Sequence, residues 1–143
     1  MTSIMVVEDH ADSREALAIL LRRSGYKVTC AEDGRQALGR IVDHAPDLVV
    51  MDLNMPDMNG VDLIESLRSY VRLHFLPVVI LTAAPDGELA RRAKSMQVGG
   101  VLTKGKATIQ EILGVIEHTL EESVHRRETM HLEKWRNDEI SPL

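Results

Sequence analysis

The chain has 143 residues, of which 44% are apolar and 27% are charged. This length and composition indicate one globular domain with a single core and room for a tail, and they exclude a globally disordered protein. The formal net charge of −5 disfavours a dedicated nucleic-acid-binding protein, which usually carries a basic surface.

The first predicted elements are a strand at residues 4–7 and a helix after the acidic segment that follows it. The strand is predicted from a short apolar run rich in β-branched residues. Asp12 is predicted to cap the helix, with Glu15 as the other half of a capping box. Gly25 lies just past the predicted helix end. The buried face of this helix is predicted to contain Leu17, Leu20 and Leu21.

Two further apolar segments, Lys27–Ala31 and Leu48–Met51, predict the second and third strands. Between them, Asp33 and Gly34 mark a turn and a helix cap, and Pro46 ends the helical region. The apolar face of this second helix is predicted from Ala37, Leu38, Ile41 and Val42.

The second half of the chain repeats the alternation of strand and helix. A loop after Asp52 leads into a third helix. Pro77 opens a fourth strand, VVILT, that ends at Thr82. Asp86 is predicted to cap a fourth helix running to about Met96, and a short fifth strand, VLT, ends at Lys104. The apolar positions of the third helix are Val61, Ile64 and Leu67, and those of the last helix are Ile109, Ile112, Leu113, Ile116 and Leu120.

Five successive strand–helix units indicate an α/β fold with a parallel sheet. The strands are almost wholly apolar, as expected when helices cover both sheet faces. We therefore predict a flavodoxin-like, doubly wound three-layer sandwich whose five strands lie in the order 2-1-3-4-5.

Residues 1–124 are predicted to form the domain, and residues 125–143 form a charge-dense tail. Two alternatives remain open for the tail: it extends the last helix, or it is a loose end. Its isolated apolar side chains are either an anchoring patch, a dimer contact or part of a frayed end. These side chains are Met130, Leu132 and Trp135.

Cellular location is predicted from three absences in the sequence. No apolar run approaches the length that spans a bilayer. The first residues lack a basic segment followed by a long apolar one, so we expect no secretory signal. Cys30 is the only cysteine and cannot form an internal disulfide, which is typical of a reducing cytosol. We expect a cytoplasmic protein without a membrane segment.

Polar residues follow four of the predicted strands at the edge where a parallel sheet binds ligands. They are Glu8, Asp9, Asp52, Thr82 and Lys104. Three close carboxylates repel one another unless one is protonated or a cation lies among them. Oxygen ligands without a clear His or Cys set favour Mg²⁺. A strand-end carboxylate can attack phosphorus, and an ammonium and a hydroxyl can bind phosphoryl oxygens.

Four stretches contain these residues: IMVVEDHADSREAL, DLVVMDLNMPDMNGVDLI, LPVVILTAA and VLTKGK. In their order and spacing, across residues 3–122, the chain resembles the receiver domains of two-component signalling. The resemblance implies that Asp52 is the phosphoacceptor of a phosphorelay. It also implies that Asp9 and Asp52 bind Mg²⁺ directly, that Glu8 binds it through water, and that the backbone carbonyl of Asn54 completes the protein ligands.

The resemblance further implies the switch and its partners. Lys104 would pair with the phosphoryl group, Thr82 would move toward it, and Pro56 and Gly60 match the loop that shapes the site. The phosphoryl group would come from a histidine kinase or a histidine phosphotransfer protein. The chain would be a signalling switch that catalyses its own phosphorylation and dephosphorylation, and its downstream partner is not identified by the sequence.

Two positions depart from the family pattern. Val101 stands where receiver domains usually have an aromatic residue that rotates inward on activation. Gly105 stands where they usually have a proline joined to the lysine by a cis bond. Because a cis bond to a non-proline residue costs about 2.5–4 kcal/mol, we expect a trans Lys104–Gly105 bond or a rearranged loop.

Three other functions are alternatives to the phosphorylation switch. The departures above favour a pseudo-receiver that docks or dimerises without phosphorylation. A haloacid-dehalogenase-like hydrolase is disfavoured because Asn54 occupies the position of its acid/base aspartate, and no cap insertion is present. A dinucleotide-binding role is disfavoured because no GxGxxG follows the first strand.

Three surface features are of secondary interest. His10 lies beside the acidic pair and could tune it. A basic run on the fourth helix, Arg91, Arg92 and Lys94, is either a solvated face or part of a docking surface. By resemblance, the face formed by helix 4, strand 5 and helix 5, or the tail, could support a homodimer. We expect no direct contact with nucleic acid or membrane.

Overall fold

The computed structural model describes the backbone of residues 1–140 and the side chains of residues 1–129 and of Leu132. The predicted side-chain roles of Met130 and Trp135 lie outside the described residues. Residues 141–143, the end of the predicted tail, do so as well.

The core of the fold is a five-stranded parallel sheet in the order β2-β1-β3-β4-β5. This result confirms the predicted flavodoxin-like α/β fold and strand order. The strands are β1 (Ser3–Val7), β2 (Lys27–Ala31), β3 (Leu48–Met51), β4 (Val78–Thr82) and β5 (Gly100–Thr103). Only β1 and β5 differ from the predicted bounds. Each begins one residue earlier than predicted, and β5 ends at Thr103, just before Lys104.

Helices cover both faces of the sheet. They are α1 (Ala11–Arg23), α2 (Gly34–Asp43), α3 (Gly60–Ser69), α4 (Glu88–Lys94) and α5 (Ile109–Ile140), with a 3₁₀ turn at Val71–Leu73. α2, α3 and α4 pack on one face through a cluster that includes Ile41, Ile64 and Ala93. α1 and α5 pack on the other face around Leu21 and Ile116.

The predicted start of α1 is wrong. His10 is the N-cap and makes no side-chain cap hydrogen bond, so Asp12 lies within the first turn and forms no capping box with Glu15. The backbone N–H of His10 donates to the Glu8 carboxylate at 3.4 Å, which turns the chain into the helix before Asp12 is reached. Leu20, placed by us on the buried face, is 39% exposed.

Both ends of α4 also differ from the prediction. The N-cap is Gly87 rather than Asp86, because the Gly87 N–H donates to the Ala84 carbonyl at 3.1 Å in a preceding turn. The helix ends at Lys94, not Met96, since the Met96 N–H donates to a carbonyl three residues back, as in a tightened last turn.

The last helix runs unbroken from Ile109 to Ile140, past the edge of the sheet. The boundary between a domain at 1–124 and a tail at 125–143 remains a prediction. Within the described part of the chain, no helix has the length and apolar character needed to cross a membrane.

Candidate functional site

The parallel register brings the acidic strand ends together. Val7 pairs with Met51 across β1 and β3, and the Asp52 N–H donates to the Val7 carbonyl at 3.1 Å. Glu8 and Asp52 therefore leave neighbouring strands side by side. This arrangement follows from the parallel pairing of two apolar strands of nearly equal length.

Three carboxylates form the acidic centre of the site. One oxygen each from Glu8, Asp9 and Asp52 lies within 4.8 Å of the others. Glu8 is 5% exposed and Asp52 is 8% exposed. Burial raises the pKa of the Asp52 carboxyl and Asp9 raises it further, while backbone N–H groups at Asn54 and Leu53 act in the opposite direction. The cluster thus disfavours three bare charges and favours an added cation.

The ammonium group of Lys104 lies against two of these acids. Its Nζ contacts Glu8 Oε1 and lies 3.5 Å from Asp52 Oδ2. Burial lowers the pKa of this ammonium, and the adjacent carboxylates stabilise its charged form. The Lys104 backbone N–H donates to the Thr82 carbonyl at 2.7 Å, which holds the side chain at the same edge.

A tight turn carries Lys104 over the acids. The Lys106 N–H donates to the Thr103 carbonyl at 3.2 Å, and Gly105 has a φ of 83°. This positive φ fits the third position of a type II turn, where glycine is favoured. No cis peptide bond occurs among the described residues, so the predicted trans Lys104–Gly105 bond is confirmed.

Thr82 ends the neighbouring strand and is fully buried. Its hydroxyl accepts a hydrogen bond from the Ala84 N–H at 3.1 Å. A hydroxyl with this acceptor role still carries its own proton. Thr82 can therefore donate to an added group without losing its present partner first.

Asn54 and His10 flank the acids in different ways. The Asn54 N–H donates to Asp52 Oδ1 at 3.2 Å, which orients the carboxylate from the loop side. The His10 side chain is exposed, and only its backbone N–H reaches Glu8. The contact of His10 with the acidic pair is thus made by its backbone amide, and a tuning role of its imidazole stays a prediction.

Arg14 is a contact of the site that the sequence reasoning missed. Its guanidinium donates to the Glu8 backbone carbonyl at 2.8 Å, so it fixes the chain between β1 and α1 and brings a positive charge toward the acids. An arginine early in a helix looks like an ordinary surface residue. In the structure α1 starts at Ala11, and Arg14, in its first turn, reaches back to the Glu8 carbonyl.

A model of the response regulator receiver domain matches residues 4–117. The chain belongs to this family. The probable chemotaxis protein CheY of Rhizobium etli is 31% identical over 121 residues, which cover 80% of this chain and 94% of that protein. The chemotaxis protein CheY4 of Vibrio cholerae superposes with a TM-score of 0.76 at 26% identity, covering 83% of this chain and 98% of that one.

Other relatives of this receiver domain are longer proteins. The transcriptional regulatory protein KdpE of Mycobacterium tuberculosis is 38% identical over 86 residues, which are 60% of this chain and 37% of that protein. The receiver domain therefore spans little more than a third of KdpE.

The two departures of this receiver domain have clear local settings. Val101 is half-buried and packs against the apolar cluster under α2, α3 and α4, so it serves as an ordinary strand residue of β5. A Cβ built on Gly105 would have no atom within 4 Å. Glycine is therefore favoured at position 105 by the positive φ, and not by a lack of space for a side chain.

Proposed function

We propose that Asp52 accepts a phosphoryl group in an Mg²⁺-dependent reaction, and that the chain acts as a conformational switch in a two-component phosphorelay. The observation that carries this proposal is the convergence of three carboxylate oxygens within 4.8 Å with an ammonium 3.5 Å from Asp52. A single acid or lysine at a strand end would be ordinary, but this combination supplies a nucleophile, a metal site and a phosphate-binding cation.

The donor set suits Mg²⁺. The clustered atoms are carboxylate oxygens, and hard oxygen ligands with room for water are what this ion takes in proteins. In our proposal Asp9 and Asp52 bind the ion directly, Glu8 binds it through water, and the Asn54 backbone carbonyl completes the protein ligands. When bound, Mg²⁺ would neutralise the acids and attract phosphoryl oxygens.

Asp52 would act as the nucleophile. One of its carboxylate oxygens attacks the phosphorus of a phosphohistidine, the new O–P bond forms, and the N–P bond breaks with its electron pair left on the imidazole. Solvent supplies the proton that this nitrogen gains. Attack of water on the same phosphorus later restores the carboxylate and releases inorganic phosphate.

Lys104 and Thr82 would respond to the added charge. The Lys104 ammonium, held between Glu8 and Asp52, exchanges its carboxylate contacts for a phosphoryl oxygen. The Thr82 hydroxyl donates to another oxygen and draws β4 and its loop with it. The altered loop is the conformational signal.

The phosphodonor would be a histidine kinase or a histidine phosphotransfer protein, and the protein would act in the cytoplasm. It would catalyse its own phosphorylation and dephosphorylation rather than turn over an external substrate. A homodimer through α4, β5 and α5 or through the tail is part of the same proposal, as one way of reading out the switch.

Intact-protein mass spectrometry tests the proposal. Incubation with acetyl phosphate and Mg²⁺ should add one phosphoryl group to the wild type and none to Asp52→Asn, and EDTA should prevent the addition. Asp57→Asn, a charge-matched change in the exposed loop nearby, should leave it intact. Either of two results would refute the proposal. The wild type could stay unmodified with both acetyl phosphate and an active kinase, or the Asp52→Asn variant could be modified as fully as the wild type.

A receiver fold that docks without phosphorylation is the second candidate. It is favoured by the contact of Lys104 with Glu8 and by Gly105 and Val101, which depart from the usual coupling elements. Partner binding that is equal in wild type, Asp52→Asn and phosphorylated protein would support this candidate over the first.

A further inference from the structure

Three hollows lie at the edge of the sheet farthest from the acids. Here α5 passes the starts of the strands, and three adjoining hollows of about 390, 290 and 350 Å³ lie around it. Each pair of hollows shares a lining residue. Phe75 lines the hollows of about 390 and 290 Å³, Arg127 lines those of about 290 and 350 Å³, and Ser123 lines those of about 390 and 350 Å³. We call this continuous region, with Val71 and Arg126, the basal surface.

Arginines outnumber acids in the lining of the basal surface. Arg72, Arg126 and Arg127 line the hollows, against Asp47 and Glu122. Among the described side chains, no carboxylate lies within 4.0 Å of these arginines or of Arg68. The Arg126 guanidinium lies 5.7 Å above the centre of the Phe75 ring. The lining is thus positive in a chain whose net charge is −5.

The arginines are also held near one another by the fold. Arg68 donates to the Leu76 carbonyl at 2.7 Å, and its Nε is buried without a hydrogen-bond partner. Burial and the nearby Arg126 both lower the pKa of Arg68, as expected for two cations kept together. An added anion would relieve this repulsion.

The two acids of the basal surface differ in their contacts. Asp47 accepts a hydrogen bond from the Ser3 N–H at 2.8 Å, and the exposed Glu122 lies 3.8 Å from His118. The Ser123 residue is only 8% exposed. It lines two of the hollows and is available to a ligand there.

Apolar side chains complete the basal surface. Val71 is 96% exposed, Val124 is 53% exposed and Phe75 is 36% exposed. Exposed apolar groups among arginines are typical of surfaces that bind protein segments. The hollows offer recesses for the side chains of such a segment.

We infer that the basal surface binds an acidic, amphipathic peptide segment of a partner protein. Its apolar side chains would fill the hollows beside Phe75 and Val71, and its carboxylates would pair with Arg126 and Arg127 in the bidentate geometry that guanidinium favours. A two-fold contact between copies of this chain would instead place the same arginines face to face. The inference is independent of phosphorylation at the opposite edge.

Fluorescence anisotropy with a defined probe tests the inference. The probe is a fluorescein-labelled helical peptide with glutamates on one face and leucine and phenylalanine on the other. Binding should saturate, weaken in added salt, and weaken about tenfold in Arg126→Glu/Arg127→Glu. The matched charge change Arg91→Glu/Lys94→Glu on α4 should leave affinity unchanged, and circular dichroism should show all variants folded.

Chemical shifts locate the contact. Amide shifts on peptide addition should occur at Phe75, Gln97 and Ser123. Three results would overturn the inference: no binding of the acidic peptide, equal weakening of binding by the α4 control, or chemical shifts at the acidic site instead. Two more would assign the surface to another occupant. Binding to phosphatidylglycerol vesicles without peptide binding would assign it to lipid, and a concentration-dependent dimer that Val71→Asp abolishes would assign it to a second copy.

Discussion

Neutralising Asp52 should stabilise the metal-free protein. The change Asp52→Asn removes one of three carboxylates that lie within 4.8 Å and keeps a side chain of almost the same shape. At an effective dielectric constant of about 20, unit charges at most 4.8 Å apart repel by at least about 3.5 kcal/mol, and the pair at 3.5 Å attracts by about 4.7 kcal/mol. With two acids and one ammonium as neighbours, ionised Asp52 is disfavoured by at least about 2 kcal/mol.

The free energy of unfolding of Asp52→Asn should therefore exceed that of the wild type by about 2 kcal/mol at pH 7 without divalent ions. For a chain of this size the gain corresponds to roughly 4–8 °C in the melting temperature. Urea and thermal denaturation followed by circular dichroism in EDTA measure both quantities. Asp57→Asn is the control, and it should leave stability unchanged.

The stability gain of Asp52→Asn should depend on pH. Burial raises the pKa of Asp52 in the folded state. Ionisation of Asp52 therefore disfavours folding above this raised pKa, and it has no effect on stability below the ordinary value of 3.8. The advantage of Asp52→Asn should be largest near neutral pH and vanish as the pH falls through this window. A variant that is less stable than wild type at pH 7 in EDTA, or an advantage equal at pH 7 and at acid pH, would refute the reasoning.

Three further predictions concern residues around the site and its loops. Arg14→Met should weaken Mg²⁺ binding about tenfold, because Arg14 fixes the Glu8 carbonyl. Isothermal titration calorimetry measures this affinity, and Arg14→Lys should give an intermediate value. Unchanged affinity in both variants would contradict this role. Gln97→Gly should raise the free energy of urea unfolding by about 0.5–1 kcal/mol, because Gln97 has a φ of 57°, and a loss of stability would count against strain there. Gly105→Ala should lower stability by about 1 kcal/mol at a φ of 83°, whereas Gly39→Ala, in the exposed interior of α2, should not.

The fold could be predicted because its strands have an unambiguous pattern. β2, β3 and β4 are short apolar runs between turn residues, and their bounds were predicted to the residue. The alternation with helices then leaves one common topology. Helix starts were harder, because several residues near Asp12 and Asp86 can cap a helix and tertiary contacts choose among them.

The grouping of the acidic residues could be anticipated from strand ends alone, but the pairing within the group could not. Which acid meets Lys104 depends on the turn at Gly105, and the sequence does not specify that Glu8 is its closer partner. Arg14 and the basal arginines were missed for a related reason. Their importance comes from neighbours distant in sequence, and surface arginines carry no periodic signal.

The continuity of α5 has a mechanical consequence. Its first turns pack on the sheet a few residues after Lys104, and the same helix extends to Ile140 without a break. At 1.5 Å per residue, the stretch beyond residue 117 is about 35 Å long. A rod of that length tilted by about 5° at its base moves its far end by about 3 Å, so a sub-ångström adjustment beside Lys104 would be magnified several-fold at the distal end.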